Sequence, residues 1–172
     1  MIRRTLLAVS VLCVSGIVSA QNVPTIAGEV KQNYARTKEL IMRAAAKMPD
    51  DAYSFRATPD VRTFAQLIAH VSEAQAIVCG GVVGQPTRID STRTAKSDVI
   101  GELAKSFAVC DRAYDAITDS NLSQIGGAGF MGGTLTGRLY ATLIHDNEMY
   151  GTMVVYLRLK GIVPPSSEGR GR

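Results

Sequence analysis

The stretch IGELAKSFAVCDRAYDAI, residues 100–117, sets Ile100, Leu103, Phe107, Cys110, Tyr114 and Ile117 at alternating steps of three and four. With 3.6 residues per turn, that spacing lines one face of an α-helix. The same period recurs three more times. Ile26, Val30, Tyr34, Thr37, Ile41, Ala44 and Met48 form a first helix, stopped by Pro49-Asp50-Asp51. A second opens on Thr63 with Gln66 three residues on, a capping box, and carries Phe64, Leu67, Ile68, Val71, Ala74 and Val78 to Gly80-Gly81, which read as its end. The fourth runs from Thr134 to Lys160 with Leu139, Leu143, Met149, Met153 and Leu157 as core candidates and Gly161 beyond. Gly151 inside it costs about 1 kcal/mol relative to Ala, which a close helix contact is expected to offset. No alternating strand pattern competes.

The expectation is therefore an all-α four-helix bundle. Its connections are an extended segment from Tyr53 to Asp60 with Pro59, a long loop over residues 82–96 with Gly84 and Pro86, and the glycine-rich Gly126–Gly133. The last lacks the Gly-Lys-Ser/Thr ending of a phosphate loop and follows no strand, so it reads as an interhelical turn. Residues 164–172, rich in Pro, Ser, Gly and Arg, read as a loose tail.

The long loop decides the topology. As an antiparallel hairpin, helices 2 and 3 would put Cys110 roughly 18 Å along from Cys79. A crossover would make them parallel and bring Cys79, sixteen residues past Thr63, level with Cys110, thirteen past Ser97. An extended loop of that length reaches about 50 Å, enough to return along a helix of roughly 27 Å. The expected arrangement is up-down-down-up with helices 2 and 3 parallel. Two cysteines can form a disulfide or remain as buried thiols; the parallel arrangement favours a Cys79–Cys110 disulfide.

That preference fits the start of the chain. Arg3 and Arg4 precede an apolar run from Thr5 to Ser19, and Val18-Ser19-Ala20 supplies small residues before Gln21. This is the pattern of a cleavable secretory signal over residues 1–20, cut after Ala20, and the run is too short to span a bilayer. The expected location is secreted or periplasmic, with no stable membrane insertion and with residues 21–163 as the folded domain. Cys13 falls inside the signal, and Leu12 before it is too large for the usual lipoprotein site. Among 172 residues, 19 Lys+Arg stand against 15 Asp+Glu; without Arg3 and Arg4 the balance is 17 to 15. So small an excess argues against a nucleic-acid partner.

Function must come from polar side chains on apolar faces. The chain has two histidines, His70 in helix 2 and His145 in helix 4. Either alone reads as a hydrogen-bonded core residue, whereas imidazoles on facing helices are how bundles hold metals.

The stretch from Tyr53 to Val71, which contains His70, resembles the second-helix region of the DinB-like family, in its exported branch. The stretch from His145 to Ser167 resembles that family's last helix and tail, and the likeness extends over nearly the whole mature chain. The resemblance implies a four-helix bundle with the crossover connection, a homodimer, and a divalent metal, zinc or nickel, on three histidines. It also implies kinship with bacterial thiol-dependent isomerases and S-transferases, although many members have no assigned reaction. One histidine comes from helix 2, matched by His70, and two from helix 4 at i and i+4, the first matched by His145. The second falls on Met149, and a neutral thioether is a poor zinc ligand.

Three readings follow. The site has degenerated and Met149 only packs; or Glu73, at i+3 from His70, completes a two-histidine, one-carboxylate set; or His70, His145 and Met149 bind copper, for which a thioether is a sensible ligand. Glu73 otherwise reads as a solvated helix-face carboxylate, and Asp146 and Glu148 lie on the wrong face to serve as ligands. Tyr34, Tyr150 and Tyr156 are pocket candidates or packing residues. Arg56 and Arg62 are anion-binding candidates or solvated surface charges. No Ser-His-Asp set is present, and the glycines form no nucleophile elbow. The sequence thus points to an exported DinB-like protein of unassigned reaction. It is either a metal-dependent hydrolase or thiol-dependent transferase with an incomplete triad, or a non-catalytic binding or structural bundle.

Overall fold

The computed structural model describes residues 24–126 and 133–169. The signal-like segment, Cys13 and the middle of the glycine-rich stretch lie outside the described residues. Among the described residues four α-helices make up the fold: α1 (Ile26–Lys47), α2 (Phe64–Val83), α3 (Lys96–Asp115) and α4 (Leu135–Leu159). Short 3-10 turns at Asp50–Ala52 and Pro165–Ser167 complete it.

Caps set three of the four starts. The Thr25 hydroxyl accepts from the Gly28 amide, Thr63 and Gln66 form the reciprocal capping box, and Thr134 accepts from the Gly137 amide. Helix α3 begins at Ala95 without a side-chain cap. Its stability comes from burial of Val99, Leu103, Phe107, Cys110 and Tyr114.

Cross-helix contacts give the directions. Along α1 and α3, Ala27 meets Asp119, Lys31 meets Asp115 and Tyr34 meets Asp111, a descending register. Between α2 and α4, His70 meets His145 and Gly81 lies against Arg138, also descending. Between α2 and α3 the register ascends: Gln75 meets Ser106 and, four residues on in both helices, Cys79 meets Cys110. The two cysteine sulfurs are at bonding distance, 1.98 Å, with Cα atoms 4.9 Å apart.

The core lies where all four helices meet. Tyr34 stacks on Tyr114 with ring centroids 3.8 Å apart. Each hydroxyl finds a partner: Tyr34 donates to Asp111 and Tyr114 to the Leu139 carbonyl. Burial, reinforced at Tyr34 by the Asp111 carboxylate, pushes both phenols far above their ordinary value. Helix α2 is apolar and long enough to cross a membrane by composition, but more than half of that window is buried against its neighbours.

Three expectations are corrected. Gly80 and Gly81 do not end α2; the helix continues to Val83 and closes on Gly84, whose φ of 66° is left-handed. The glycine pair makes room instead. A Cβ at Gly80 would come within 3.0 Å of the Gln85 carbonyl, where the chain turns back, and one at Gly81 would meet the Arg138 guanidinium at 2.7 Å. A Cβ at Gly151 would have no neighbour within 4 Å, so the expected close contact is not made among the described residues. Finally, the stretch after Pro164 is held as far as Glu168: Pro165 is buried, the Ser166 amide donates to the Tyr150 hydroxyl, and Glu168 pairs with Arg43 and Lys47 of α1. Composition alone says nothing about such docking. At the glycine-rich connection, Ile125 and Thr134 form an antiparallel bridge that joins its two ends.

Candidate metal centre

Helices α2 and α4 bring the two histidines face to face. The Nε2 atoms of His70 and His145 lie 3.2 Å apart, and the rings meet edge to face at 71°. Two imidazoles on a tetrahedral ion, with bonds of about 2.0–2.1 Å, place their nitrogens roughly 3.3 Å apart. The observed spacing therefore fits two positions of such an ion, or one shared proton. Burial holds the His70 imidazole below its ordinary value, and the charges of Arg62 and His145 act in the same direction.

The pair opens on a cleft of about 510 Å³ whose remaining walls are Glu73, Ala74, Ile77, Val78 and Thr142. His70 and Glu73 also border a smaller polar groove with Arg62, Gln66 and Ser91. Met149 does not line this cleft. It packs half-buried on the core and lines a separate groove beside Leu67 and Tyr156.

Behind His145 lies a group that helical periodicity does not single out. Asp146 is on the wrong face for a ligand, yet it is buried at 1% exposure, and its carboxylate accepts from the Gln75 amide at 2.9 Å. The Gln75 carbonyl oxygen in turn accepts from the Ser106 hydroxyl at 2.8 Å. The other Asp146 oxygen stands 3.7 Å from Nδ1 of His145, beyond a hydrogen bond, and neither atom has another partner among the described residues. Burial pushes the Asp146 carboxyl above the usual carboxylate range, opposed by His145 and the Gln75 amide. A carboxylate behind a ligand's second ring nitrogen fixes the tautomer that leaves Nε2 free. One signal for this group does lie in the sequence: Gln75 falls between Val71 and Cys79 on the same inward face of α2.

The remaining candidates divide. Tyr156 lines the groove with Met149 and donates to the Arg62 carbonyl, Tyr150 borders a cleft between α1 and α4, and Tyr34 belongs to the core. Arg62 borders the histidine site, whereas Arg56 donates to the Pro59 carbonyl.

The fit to a three-histidine metal is partial. His70 and His145 suit two ligand positions, but among the described residues no group of three or more His, Cys, Asp or Glu side chains is placed to hold an ion. Glu73 shares the cleft without completing a set, and no step can be routed through a metal held by these residues alone.

Comparison with known proteins agrees with the fold. The DinB superfamily matches residues 33–153. A DinB-like protein from Bacillus cereus ATCC 10987 superposes with a TM-score of 0.67 at 19% identity, covering 82% of this chain and 96% of that one. A conserved protein from Enterococcus faecalis gives 0.61 at 14%, covering 80% and 98%. A DinB-like protein from Bacillus subtilis gives 0.58 at 15%, covering 77% and 92%. No protein of curated function matches. On the match that spans most of its length, the chain belongs to the DinB superfamily.

Proposed function

We propose that this protein is an exported DinB-superfamily bundle whose metal centre lacks its third ligand, and that it serves as a binding protein for a small molecule rather than as a hydrolase or thiol transferase. The observation that carries this reading is the pairing of His70 and His145 at 3.2 Å on the rim of an apolar cleft, with no third ligand in place among the described residues. The cleft accepts an apolar body through Ala74, Ile77 and Val78, and a polar end can take up the donor and acceptor of the imidazole pair in exchange for the bond the two rings make to each other. Export rests on the signal-like start of the chain, and a disulfide suits an oxidising compartment.

The spacing of the two nitrogens favours a second reading, in which a metal sits on the pair and Glu73, Met149 or a bound molecule completes its shell. Zinc and nickel suit Glu73, and copper suits Met149. Metal analysis of protein purified without a histidine tag separates the two. The binding reading expects less than a tenth of an equivalent in the wild type and about one equivalent of zinc or nickel in Met149→His. Stoichiometric metal in the wild type overturns it; Glu73→Ala and Met149→Ala then identify the completing ligand by which one empties the site.

A further inference from the structure

The apolar cleft beside the histidines and the polar groove next to it, about 270 Å³ in volume, share two walls, His70 and Glu73, so the two spaces adjoin along α2. The residues follow in order along that helix. Arg62 and Gln66 border the groove, Glu73 borders both spaces, and Ile77, 66% exposed, borders the cleft. Arg62 and Glu73 carry opposite charges and line the same groove, yet neither forms an ion pair, with the other or elsewhere, among the described residues. The frame around them is fixed. The Arg62 carbonyl accepts from the Tyr156 hydroxyl, and the Gln66 side-chain oxygen is taken by the Thr63 amide in the capping box, which leaves the Gln66 amide hydrogens as donors in the same groove as the guanidinium. Ser91 adds a hydroxyl from the loop before α3, next to Asp90, whose backbone amide donates to Glu102 and whose carboxylate accepts from Thr92 and Arg93.

We propose, resting on the binding reading above, that the groove and the cleft form one site for a free amino acid with an apolar side chain. Arg62 and Gln66 hold its carboxylate, Glu73 holds its ammonium, and the side chain lies against Ala74, Ile77 and Val78. A guanidinium and an amide are donors suited to a carboxylate, and a carboxylate is the acceptor suited to an ammonium. The apolar walls begin one residue beyond Glu73, so a side chain leaving the same carbon as the two charged groups enters the cleft directly. His70, which borders both spaces, meets the head between its two charges. A fatty acid would bring its carboxylate into a groove that holds Glu73, and an alkylamine would bring its cation into one that holds Arg62. Only a head with both charges matches both residues.

Titration with L-leucine, followed through the ring resonances of His70 and His145 by NMR, tests this against two truncated probes: isocaproate, which lacks the ammonium, and isoamylamine, which lacks the carboxylate. L-Leucine is expected to bind at least tenfold more tightly than either. Arg62→Met should weaken L-leucine tenfold or more and leave isoamylamine no weaker, and Glu73→Gln should weaken L-leucine likewise and leave isocaproate no weaker. If either truncated probe matches L-leucine, or if each substitution weakens all three probes alike, the amino-acid assignment is overturned while the cleft remains a small-molecule site. If none of the three moves the ring resonances, the assignment is overturned as well, and the binding reading falls with it only where the metal analysis above also finds stoichiometric metal in the wild type.

Discussion

Helix α2 has two long seams, and they are built differently. Against α3 it is closed: Cys79 bonds Cys110, Gln75 meets Ser106, and Leu103 and Phe107 are fully buried beside them. Against α4 it is gapped: His70 and His145 touch at their tips, with a cleft beside them and a groove lined by Leu67 and Met149 nearby. A binding site needs space, and space in a small bundle costs packing energy. The closed seam holds α2 in place so that the gapped seam keeps its shape. Gln75 belongs to both, accepting from Ser106 and donating to Asp146.

The largest expected effect comes from opening the closed seam. The disulfide spans a sequence separation of 31 residues, so Cys79→Ser with Cys110→Ser should cost about 3.5 kcal/mol through the freed chain. That corresponds to a fall in melting temperature of roughly 10 °C. A fall of only a degree or two would show that the seam does not depend on its bond. Next is Gln75→Leu, which leaves the Asp146 carboxylate and the Ser106 hydroxyl without their shared partner. Denaturant unfolding should show a loss of about 2–3 kcal/mol, and adding Asp146→Leu should return part of it. An additive double variant would mean the two seams are not joined through Gln75.

The smallest effect is one of pH and belongs to the gapped seam alone. The His70 imidazole titrates below its ordinary value in the folded protein, so between that value and about 6.5 the unfolded chain binds more protons. Stability therefore rises with pH across this window and is lost as pH falls through it. Melting temperatures measured from pH 7 to pH 5 should decline less in His70→Gln than in the wild type. Equal declines would place the acid sensitivity elsewhere.

How legible these seams are in the sequence depends on whether the signal is local. The α3 stripe from Ile100 to Ile117 and the capping box at Thr63 are local patterns, and the structure contains both. The histidine pair is legible because each imidazole lies on the inward side of its own helix. Gly80 and Gly81 are opaque because a glycine's purpose lies in what approaches it, and neither the Gln85 carbonyl nor the Arg138 guanidinium announces itself in the flanking residues. Asp146 reads only as a non-ligand, since its value to the site is to sit behind His145, a relation of depth that helical periodicity does not separate from ordinary burial.

The clamp of Glu168 on Arg43 and Lys47 has a consequence for the order of assembly. Helix α1 is made well before the other three, yet Lys47 meets its acidic partner among the described residues only in the stretch that follows α4, where Arg43, already paired with Glu39 one turn back, gains a second one. A nascent chain can pair α2 with α3 early, but Lys47 of its opening helix waits for that stretch. That last contact of α1 therefore forms only once the stretch after α4 has been made, a timing compatible with the proposed export of the chain before it folds.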